Sequence, residues 1–200
     1  MAKKIQTRLR VEKCEHIAGN AILLGVSSGV SLPEIKAGQF AQLSAPGVFL
    51  KHPFSIHGRL DFLIQVVGPA TRALESLVEG DEIDALLPLG NGFRTDGSFS
   101  NALLVGGGVG TAPLFLLGRQ LKEQGRNFSF LLGARSDRQL LRMEQFEGIG
   151  PVYVATQDGS MGEKGLVTEH SILESGQFDR IFCCGPTPMM KAVAAYPASH

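Results

Sequence analysis

Short hydrophobic runs separated by turn-forming residues dominate the first half of the chain. The runs cover residues 21–26, 38–43, 54–56, 62–67 and 81–87. Glycine, proline, asparagine and aspartate lie between them, which is typical of antiparallel strands joined by turns. Residues 71–78 differ, because their apolar positions follow helical spacing and Thr71 can cap the helix that they predict. The first half therefore favours an antiparallel barrel or sandwich with one short helix.

Strand and helix patterns alternate in the second half of the chain. Strands are predicted over 103–105, 128–132, 152–155 and 181–184, and helices over 113–124, 137–146, 167–174 and from residue 188 onward. Such an alternation specifies a doubly wound parallel sheet with helices on its faces. Ligands of these sheets bind beyond the carboxyl ends of the strands. We therefore predict two domains, residues 1–97 and 98–200.

A glycine-rich segment lies where the first strand of the second domain turns into a helix. Residues 106–112 read Gly-Gly-Gly-Val-Gly-Thr-Ala. Glycines let a backbone approach a ligand closely, and a helix N-terminus favours an anion such as a pyrophosphate. Thr111 stands where the common G-x-G-x-x-G fingerprint has its last glycine, so that fingerprint is not met. The segment predicts a nucleotide site, and a tight turn without a ligand remains the alternative.

Charge and composition narrow the class of partner. The 200 residues include 19 basic and 19 acidic side chains, and 44% are hydrophobic, which describes a globular protein of one or two domains. No basic cluster extends beyond Lys3 and Lys4, so neither nucleic acid nor an anionic membrane is predicted as a partner. The N-terminal residues lack a signal-peptide core, and no apolar run approaches the ~20 residues of a membrane span. These features predict a cytoplasmic protein.

The cysteines and histidines do not predict a metal site. The three cysteines are Cys14, Cys183 and Cys184, and the five histidines lack the spacing of metal ligands. Three cysteines also make no disulfide framework. No protein-bound metal is therefore expected on this chain.

Five motifs occur in an order shared by a known group of proteins. They are His-Pro-Phe-Ser-Ile (52–56), Val-Val-Gly-Pro-Ala-Thr (66–71), Pro-Leu-Gly-Asn-Gly-Phe (88–93), Gly-Gly-Gly-Val-Gly-Thr-Ala-Pro (106–113) and Cys-Gly-Pro-Thr-Pro-Met (184–189). With them, nearly the whole chain resembles the ferredoxin-NADP reductase superfamily, and within it the electron-transfer subunit of NAD-linked dihydroorotate dehydrogenase. The resemblance implies a ferredoxin reductase-like fold, with an FAD-binding β-barrel (1–97) before an NAD(P)-binding α/β domain (98–200).

The resemblance also implies roles for individual residues. Residue 52 would meet the FAD pyrophosphate, Phe54 would pack on the flavin, and the Ser55 hydroxyl would lie near flavin N5. The implied FAD-binding residues are His52, Pro53, Phe54, Ser55, Leu63, Ile64, Gln65, Ala70 and Thr71. The implied NAD(P)-binding residues are Gly107, Gly108, Gly110, Thr111, Ala112, Arg135, Gly185, Pro186 and Met189. Cys184 would lie beside the nicotinamide, and Ser55 and Cys184 are the implied catalytic residues.

Two departures from the family pattern affect the expected cofactors. His52 replaces an arginine, which removes a permanent bidentate phosphate partner, and Ala70 replaces a glycine. The family also carries a C-terminal [2Fe-2S] domain with four cysteine ligands, whereas this chain stops at His200, with Pro197 expected to break the last helix. The cluster cannot form on the cysteines present, so its ligands are expected to be absent from this chain.

The activity implied is electron transfer between NAD(H), FAD and an iron-sulfur/FMN partner. That partner would be an FMN-containing catalytic subunit that oxidises dihydroorotate in pyrimidine biosynthesis, the two forming a heterotetramer. The identity of the nucleotide stays open: Arg135, Ser136 and Arg138 favour NADP, whereas the resemblance favours NAD. Two other functions also stay open, namely a reductase subunit of a hydrogenase or other oxidoreductase, and a flavin-free structural module of a complex.

Overall fold

A computed structural model describes residues 3–18, 20–175 and 177–196 of the chain. The chain divides into two compact units, Met1–Phe93 and Arg94–His200. Within the described residues, no helix is both long enough and apolar enough to cross a bilayer.

The first unit is built on six antiparallel strands. They are β1 (Ile5–Ile17), β2 (Ala21–Ser28), β3 (Phe40–Ala45), β4 (Val48–Ser55), β5 (Asp61–Gln65) and β6 (Glu82–Leu89). Their order in the sheet is β4-β3-β6-β1-β2-β5, and every pair is antiparallel. An isolated bridge between Ile56 and Phe62 joins the two edge strands, so the sheet curls back on itself. The predicted antiparallel barrel is confirmed.

The interior of this barrel follows the alternation of side chains along its strands. In β3, Ala41, Leu43 and Ala45 are buried while the residues between them are partly exposed. Leu9 of β1 and Ile22 of β2 are fully buried as well. Burial of one face of each strand is what sets the register of the barrel, because a slip of one residue would expose the apolar set.

In the described part of the barrel unit, one α-helix is present, α1 (Pro69–Glu75), and it begins earlier than the sequence predicts. Its N-cap is Gly68, in extended conformation, and a proline occupies the first turn. Pro69 is preset at helical φ and has no amide to lose there, so the helix can start before Thr71. The prediction that Thr71 caps the helix is wrong: it lies at the third helical position, and its side chain serves a different purpose, described below.

The second unit is built on five parallel strands. They are β7 (Asn101–Gly107), β8 (Asn127–Ala134), β9 (Val152–Thr156), β10 (Glu163–Lys164) and β11 (Arg180–Cys184). Their order is β10-β9-β8-β7-β11, and every pair is parallel. The predicted doubly wound sheet is confirmed. Two of the predicted helices are present, as α2 (Thr111–Glu123) and α4 (Thr187–Ala194), which ends before Pro197; Pro197 lies outside the described residues.

The other two predicted helices of this unit are wrong in extent or type. Residues 137–146 form a 3₁₀ turn, Asp137–Gln139, and a short helix, α3 (Met143–Glu147), separated by Leu140 in extended conformation and Arg142 at φ 54. Residues 167–174 form two 3₁₀ turns, Val167–Glu169 and Ser171–Ser175, separated by His170 in extended conformation. In each case non-helical residues, 140–142 in the first segment and His170 in the second, interrupt a hydrophobic pattern that a continuous helix would also satisfy.

Asp179 ties the start of β11 to the start of β7. Its carboxylate accepts the amide of Ser100 at 2.6 Å and that of Asn101 at 3.0 Å, and its own amide donates to the Asn101 carbonyl at 3.1 Å. The hydrogen bonds from Ser100 and then Asn101 lower the pKa of Asp179 below its ordinary value of 3.8. The carboxylate thus fixes where β7 and the edge strand β11 begin relative to each other.

Replacing Asp179 with asparagine is expected to lower the melting temperature at neutral pH. The folded pKa is depressed, so the stabilisation is present above 3.8 and is lost as the pH falls through the folded value. The wild type should therefore lose more of its melting temperature on acidification than the variant does. Thermal unfolding of both proteins across the acid range measures this, with D96N, at an exposed carboxylate, as control. Equal acid sensitivity of wild type and D179N would contradict the role of Asp179.

Candidate nucleotide and flavin sites

The carboxyl ends of β7 and β11 meet at the point where the strand order of the second unit reverses. The chain runs from β7 to β8 and β9 on one side, and then crosses to β11 on the other side of β7. Gly106 at the end of β7 is paired with Cys184 at the end of β11. Such a switch point is where open parallel sheets bind ligands. The glycine-rich segment and the Cys-Gly-Pro turn therefore lie side by side at the expected place.

The glycine-rich segment forms a strand, a single 3₁₀ turn and a helix. The turn is Gly108–Gly110, and α2 follows directly from Thr111. Gly108 has φ +56 and no atom within 4 Å of where a Cβ would lie, so this position requires glycine for its conformation and faces open space. The Thr111 hydroxyl donates to the Gly108 carbonyl at 2.9 Å and so closes the turn. The positive end of the α2 dipole lies at this turn, and it is this end of the helix that can meet an anion here.

The remaining glycines of the segment serve packing within the protein. A Cβ on Gly110 would lie 2.5 Å from Gly185 Cα and 2.7 Å from the Cys184 carbonyl oxygen, both backbone atoms. A Cβ on Gly106 would lie 2.8 Å from the Leu114 side chain. The two turns therefore touch backbone to backbone, a contact that only glycine allows.

Several of the predicted nucleotide-binding side chains are inside the protein. Thr111 is 4% exposed and Ala112 is fully buried, so either could reach a nucleotide only through its backbone. Gly185 is half-buried and Pro186 is exposed at the other turn. At Thr111, Ala112 and Gly185, a contact with a nucleotide would therefore be made by the backbone.

Cys183 and Cys184 lie at the end of β11 in different surroundings. Cys183 packs against the hydrophobic core that includes Leu103 and Val105, and burial raises its pKa to about 11. Burial also raises the pKa of Cys184 above its ordinary value of 9.0. Both thiols are accordingly neutral at pH 7, and Cys184 would offer a nicotinamide ring an uncharged, polarisable neighbour.

The turn after β8 carries the exposed cations Arg135 and Arg138. It is held in place by the turn after β9, because the Asp137 amide donates to the Ser160 hydroxyl at 2.7 Å. That hydroxyl donates in turn to Asp158 at 2.6 Å, and the Ser160 hydroxyl and amide together lower the pKa of Asp158. Arg135 therefore belongs to a fixed turn at the same edge of the sheet as the glycine-rich segment.

In the barrel unit, His52 and Phe54 share one face of β4. Their strand partners are Leu43 and Ala41, two residues apart on β3. Residues two apart on a strand project to the same side, so one ligand could meet both. The His52 Nδ1 lies 2.9 Å from the Leu50 carbonyl oxygen. Since a carbonyl only accepts, Nδ1 carries a proton, and Nε2 can donate to a phosphate only when the imidazole is protonated.

The other predicted flavin contacts occupy mixed environments. Pro53 is exposed, and Ser55, the last residue of β4, is partly buried opposite Phe40. On β5, Leu63 and Ile64 are buried side chains of the barrel core, whereas Gln65 is exposed. Among these three β5 residues, only Gln65 presents its side chain to solvent.

Thr71 organises the loop that precedes α1. Its hydroxyl accepts the amides of Val67 and Gly68, both at 2.9 Å, and donates to the Gly68 carbonyl at 3.0 Å. With its side chain engaged in this way, Thr71 would bind a phosphate through its own amide and that of Ala70 in the first helical turn. Gly68 was not predicted as a site residue; it has open space in its Cβ direction. The Gly-Pro pair at the helix start was the available signal.

The described residues contain no group of three or more His, Cys, Asp or Glu side chains that could hold a metal ion. Cys14 lies on β1 in the barrel unit, where its thiol donates to the carbonyls of Leu74 and Glu75. Cys183 and Cys184 are on β11. These residues do not fit a [2Fe-2S] cluster.

Comparison with known proteins identifies the family. The Oxidoreductase NAD-binding domain family matches residues 104–195. The electron transfer subunit of dihydroorotate dehydrogenase B (NAD(+)) from Shouchella clausii is 33% identical over 204 residues, covering 96% of this chain and 79% of that protein. The corresponding subunit from Caldanaerobacter subterraneus subsp. tengcongensis is 42% identical over 164 residues, covering 78% of this chain and 63% of its own length.

Solved structures agree with this relationship. The structure of an NADH-dependent reduced ferredoxin-NADP oxidoreductase matches with a TM-score of 0.81 and 34% identity, covering 92% of this chain and 69% of that one. Phthalate dioxygenase reductase matches with a TM-score of 0.78 and 21% identity over 97% of this chain and 66% of that one, which shows the shared fold.

The barrel, the parallel sheet and the glycine turn at its switch point define a ferredoxin reductase-like flavin oxidoreductase that is linked to NAD(H). Within that superfamily, the chain belongs to the family of dihydroorotate dehydrogenase B electron transfer subunits.

Proposed function

We propose that this protein transfers electrons between NAD(H), bound FAD and a catalytic subunit that oxidises dihydroorotate. The observation that carries the proposal is the backbone contact between the glycine turn and the Cys-Gly-Pro turn at the switch point. The contact is so close that a Cβ atom on Gly110 would lie 2.5 Å from Gly185 Cα. The two turns would form one nucleotide site, because the strand ends from which they start, Gly106 and Cys184, are paired at the switch point.

The NAD(H) site would be formed by backbone amides and an uncharged side chain. Backbone amides of the glycine turn, at the positive end of the α2 dipole, would bind the pyrophosphate. Cys184, with its neutral thiol, would line the nicotinamide end without placing a charge beside it. No carboxylate is assigned to the reaction, because hydride transfer between a nicotinamide and a flavin requires no acid or base in that half-reaction.

The residues of the barrel unit fit FAD. His52 and Phe54 project from one face of β4, and the loop held by Thr71 presents the amides of a helix start. His52 would donate to the pyrophosphate, Phe54 would pack on the flavin, and Ser55 would stand near its reactive edge. Bound FAD would supply the chemistry of accepting a hydride and passing its electrons on singly.

The partner subunit and the cellular location are also part of this proposal. The curated relatives are named as electron transfer subunits, which implies a catalytic partner. We propose that the partner contains FMN, that the two subunits form a heterotetramer, and that the complex acts in the cytoplasm. The three cysteines do not fit the iron-sulfur cluster, so we assign no step of this chain's residues to it.

The test is reduction of the FAD-loaded protein by a pyridine nucleotide. Purified protein is loaded with FAD, and the flavin absorbance is followed after NADH or NADPH is added in turn. Faster bleaching by NADH than by NADPH at equal concentration supports the NAD-linked proposal, while faster bleaching by NADPH would assign a 2′-phosphate contact to Arg135 and Arg138. A protein that takes up no FAD would contradict the proposal and support a structural module.

A second candidate function is a reductase subunit for a different partner. It is favoured by the 34% identity to the NADH-dependent reduced ferredoxin-NADP oxidoreductase over 92% of the chain. Co-purification distinguishes the two candidates. Recovery of a dihydroorotate-oxidising subunit supports the first, and recovery of a hydrogenase or another oxidoreductase supports the second.

Replacing His52 with arginine is expected to tighten FAD binding by about tenfold, because a guanidinium donates two charge-assisted hydrogen bonds to a phosphate at any pH. In the wild type, the imidazole offers at most one such hydrogen bond, through Nε2, because Nδ1 faces the Leu50 carbonyl. Fluorescence titration of FAD measures the affinity of both proteins.

The matched control for H52R is Lys51→Arg, which changes a cation on the opposite face of β4. K51R should leave the FAD affinity unchanged. Identical affinities for wild type, H52R and K51R would remove His52 from the phosphate site.

A further inference from the structure

Met189 occupies the space that two glycines leave open at the switch point. Its Sδ lies 2.9 Å from where a Cβ of Gly107 would stand, and its Cε lies 2.6 Å from the corresponding position at Gly185. Any side chain at either glycine would overlap Met189. The Cβ directions of both glycines therefore face this methionine.

Met189 is also anchored in the protein behind the two turns. It is half-buried on α4 and packs against the core cluster that contains Leu103, Val105 and Val193. A thioether chain is flexible and polarisable, and can fill an irregular gap between two backbones. Met189 thus connects the hydrophobic core to both nucleotide-binding turns.

Gly107 and Gly185 are themselves close neighbours. A Cβ atom on Gly185 would lie 3.3 Å from the Gly107 amide nitrogen. If the Met189 side chain were removed, the space between the turns would be empty on the side of the core, and the turns would be free to shift. Their backbone amides would then no longer converge on one pyrophosphate.

We propose that Met189 is a positioning residue, which holds the Gly107 and Gly185 turns in the geometry that binds NAD(H). This inference rests on the proposed function of the same site. The sequence analysis predicts that Met189 contacts the cofactor directly. Here Met189 acts instead through the backbones of Gly107 and Gly185.

The test compares Met189→Ala with Met189→Leu in the FAD-loaded protein, turning over NADH with an artificial electron acceptor. M189A should raise the KM for NADH about tenfold, because the two turns that would bind the pyrophosphate are displaced from each other. Its kcat and FAD content should change little, while its melting temperature should fall, because alanine removes packing against the core. M189L, which nearly conserves the volume, should restore the wild-type KM. Met190→Ala, one position further along α4, is the control and should keep the wild-type KM.

The outcomes separate this proposal from the function on which it rests. An unchanged KM in M189A, or an equal rise in M190A, would overturn the role of Met189. A joint loss of kcat, FAD content and melting temperature in M189A that M189L does not restore would show general destabilisation and would also overturn it. A wild-type protein whose FAD is not reduced by NADH would instead overturn the proposed function.

Discussion

Replacing Gly110 with alanine is expected to abolish measurable NAD(H) binding and to lower the free energy of unfolding by about 3 kcal/mol, at the upper end for overpacking. Gly110 has φ −63, so the conformation itself accepts alanine. The cost comes from the added methyl group, which would stand 2.5 Å from Gly185 Cα and 2.7 Å from the Gly185 amide nitrogen. Backbone atoms cannot rotate away, so the two turns must separate. Denaturant unfolding and titration with NAD(+) measure the two effects.

Two further glycines serve as controls for this substitution. Gly29 is exposed and has no atom within 4 Å of its Cβ direction, so G29A should be silent. Gly108 also faces open space, but its φ of +56 makes alanine unfavourable by about 1 kcal/mol. G108A should therefore lose stability without forcing the turns apart. If G110A binds NAD(+) as G108A does, the contact between the turns is not what forms the site.

The strands of the second unit could be predicted from the sequence because their hydrophobic runs are continuous. Residues 103–105 and 128–132 lie inside β7 and β8. Both strands are buried on both faces, so they contain few polar residues. Strand β1 was not predicted. It has apolar residues at Ile5, Leu9 and Val11, but charged residues alternate with them and no glycine or proline marks its course. The polar residues on the exposed face of β1 break up the hydrophobic run that its buried residues would otherwise form.

The helical predictions failed where the pattern does not determine the backbone. Residues 137–146 and 167–174 have apolar positions that suit a helix, and the structure buries Leu140, Phe146 and Val167 from shorter turns instead. Periodicity reports which side chains are buried and not how many hydrogen-bonded turns lie between them. The bounds of these elements follow from packing against the sheet, which the local sequence does not encode.

The location of the candidate nucleotide site could be predicted from the sequence, but the packing contacts of its glycines could not. The glycine run and the Cys-Gly-Pro motif indicate where strands end, and the topology places them together. The sequence cannot show that Gly110 faces Gly185, because that contact joins residues that are far apart in the chain. It also cannot show that Gly107 accommodates Met189. Gly108 alone has the open, left-handed geometry that the motif leads one to expect throughout.

Replacing Thr71 with valine is expected to weaken FAD binding by at least about tenfold and to lower the free energy of unfolding by about 1–2 kcal/mol, the value of a few lost hydrogen bonds. Valine keeps the shape of threonine, and residue 71 is only 9% exposed, so packing is preserved. What is lost is the hydroxyl that accepts the amides of Val67 and Gly68 and donates to the Gly68 carbonyl. Without it, the loop at the start of α1 loses its fixed conformation.

Two variants separate this local effect from a general loss of stability. Thr71→Ser keeps the hydroxyl and should retain FAD affinity near that of the wild type. Ser76→Ala removes a hydroxyl at the other end of α1, where it donates to the Ala73 carbonyl at 2.9 Å, and should leave FAD binding unchanged. FAD titration and denaturant unfolding of all three variants measure both quantities. Wild-type FAD affinity in T71V would mean that FAD is bound without this loop, because the variant removes the hydrogen bonds that shape it.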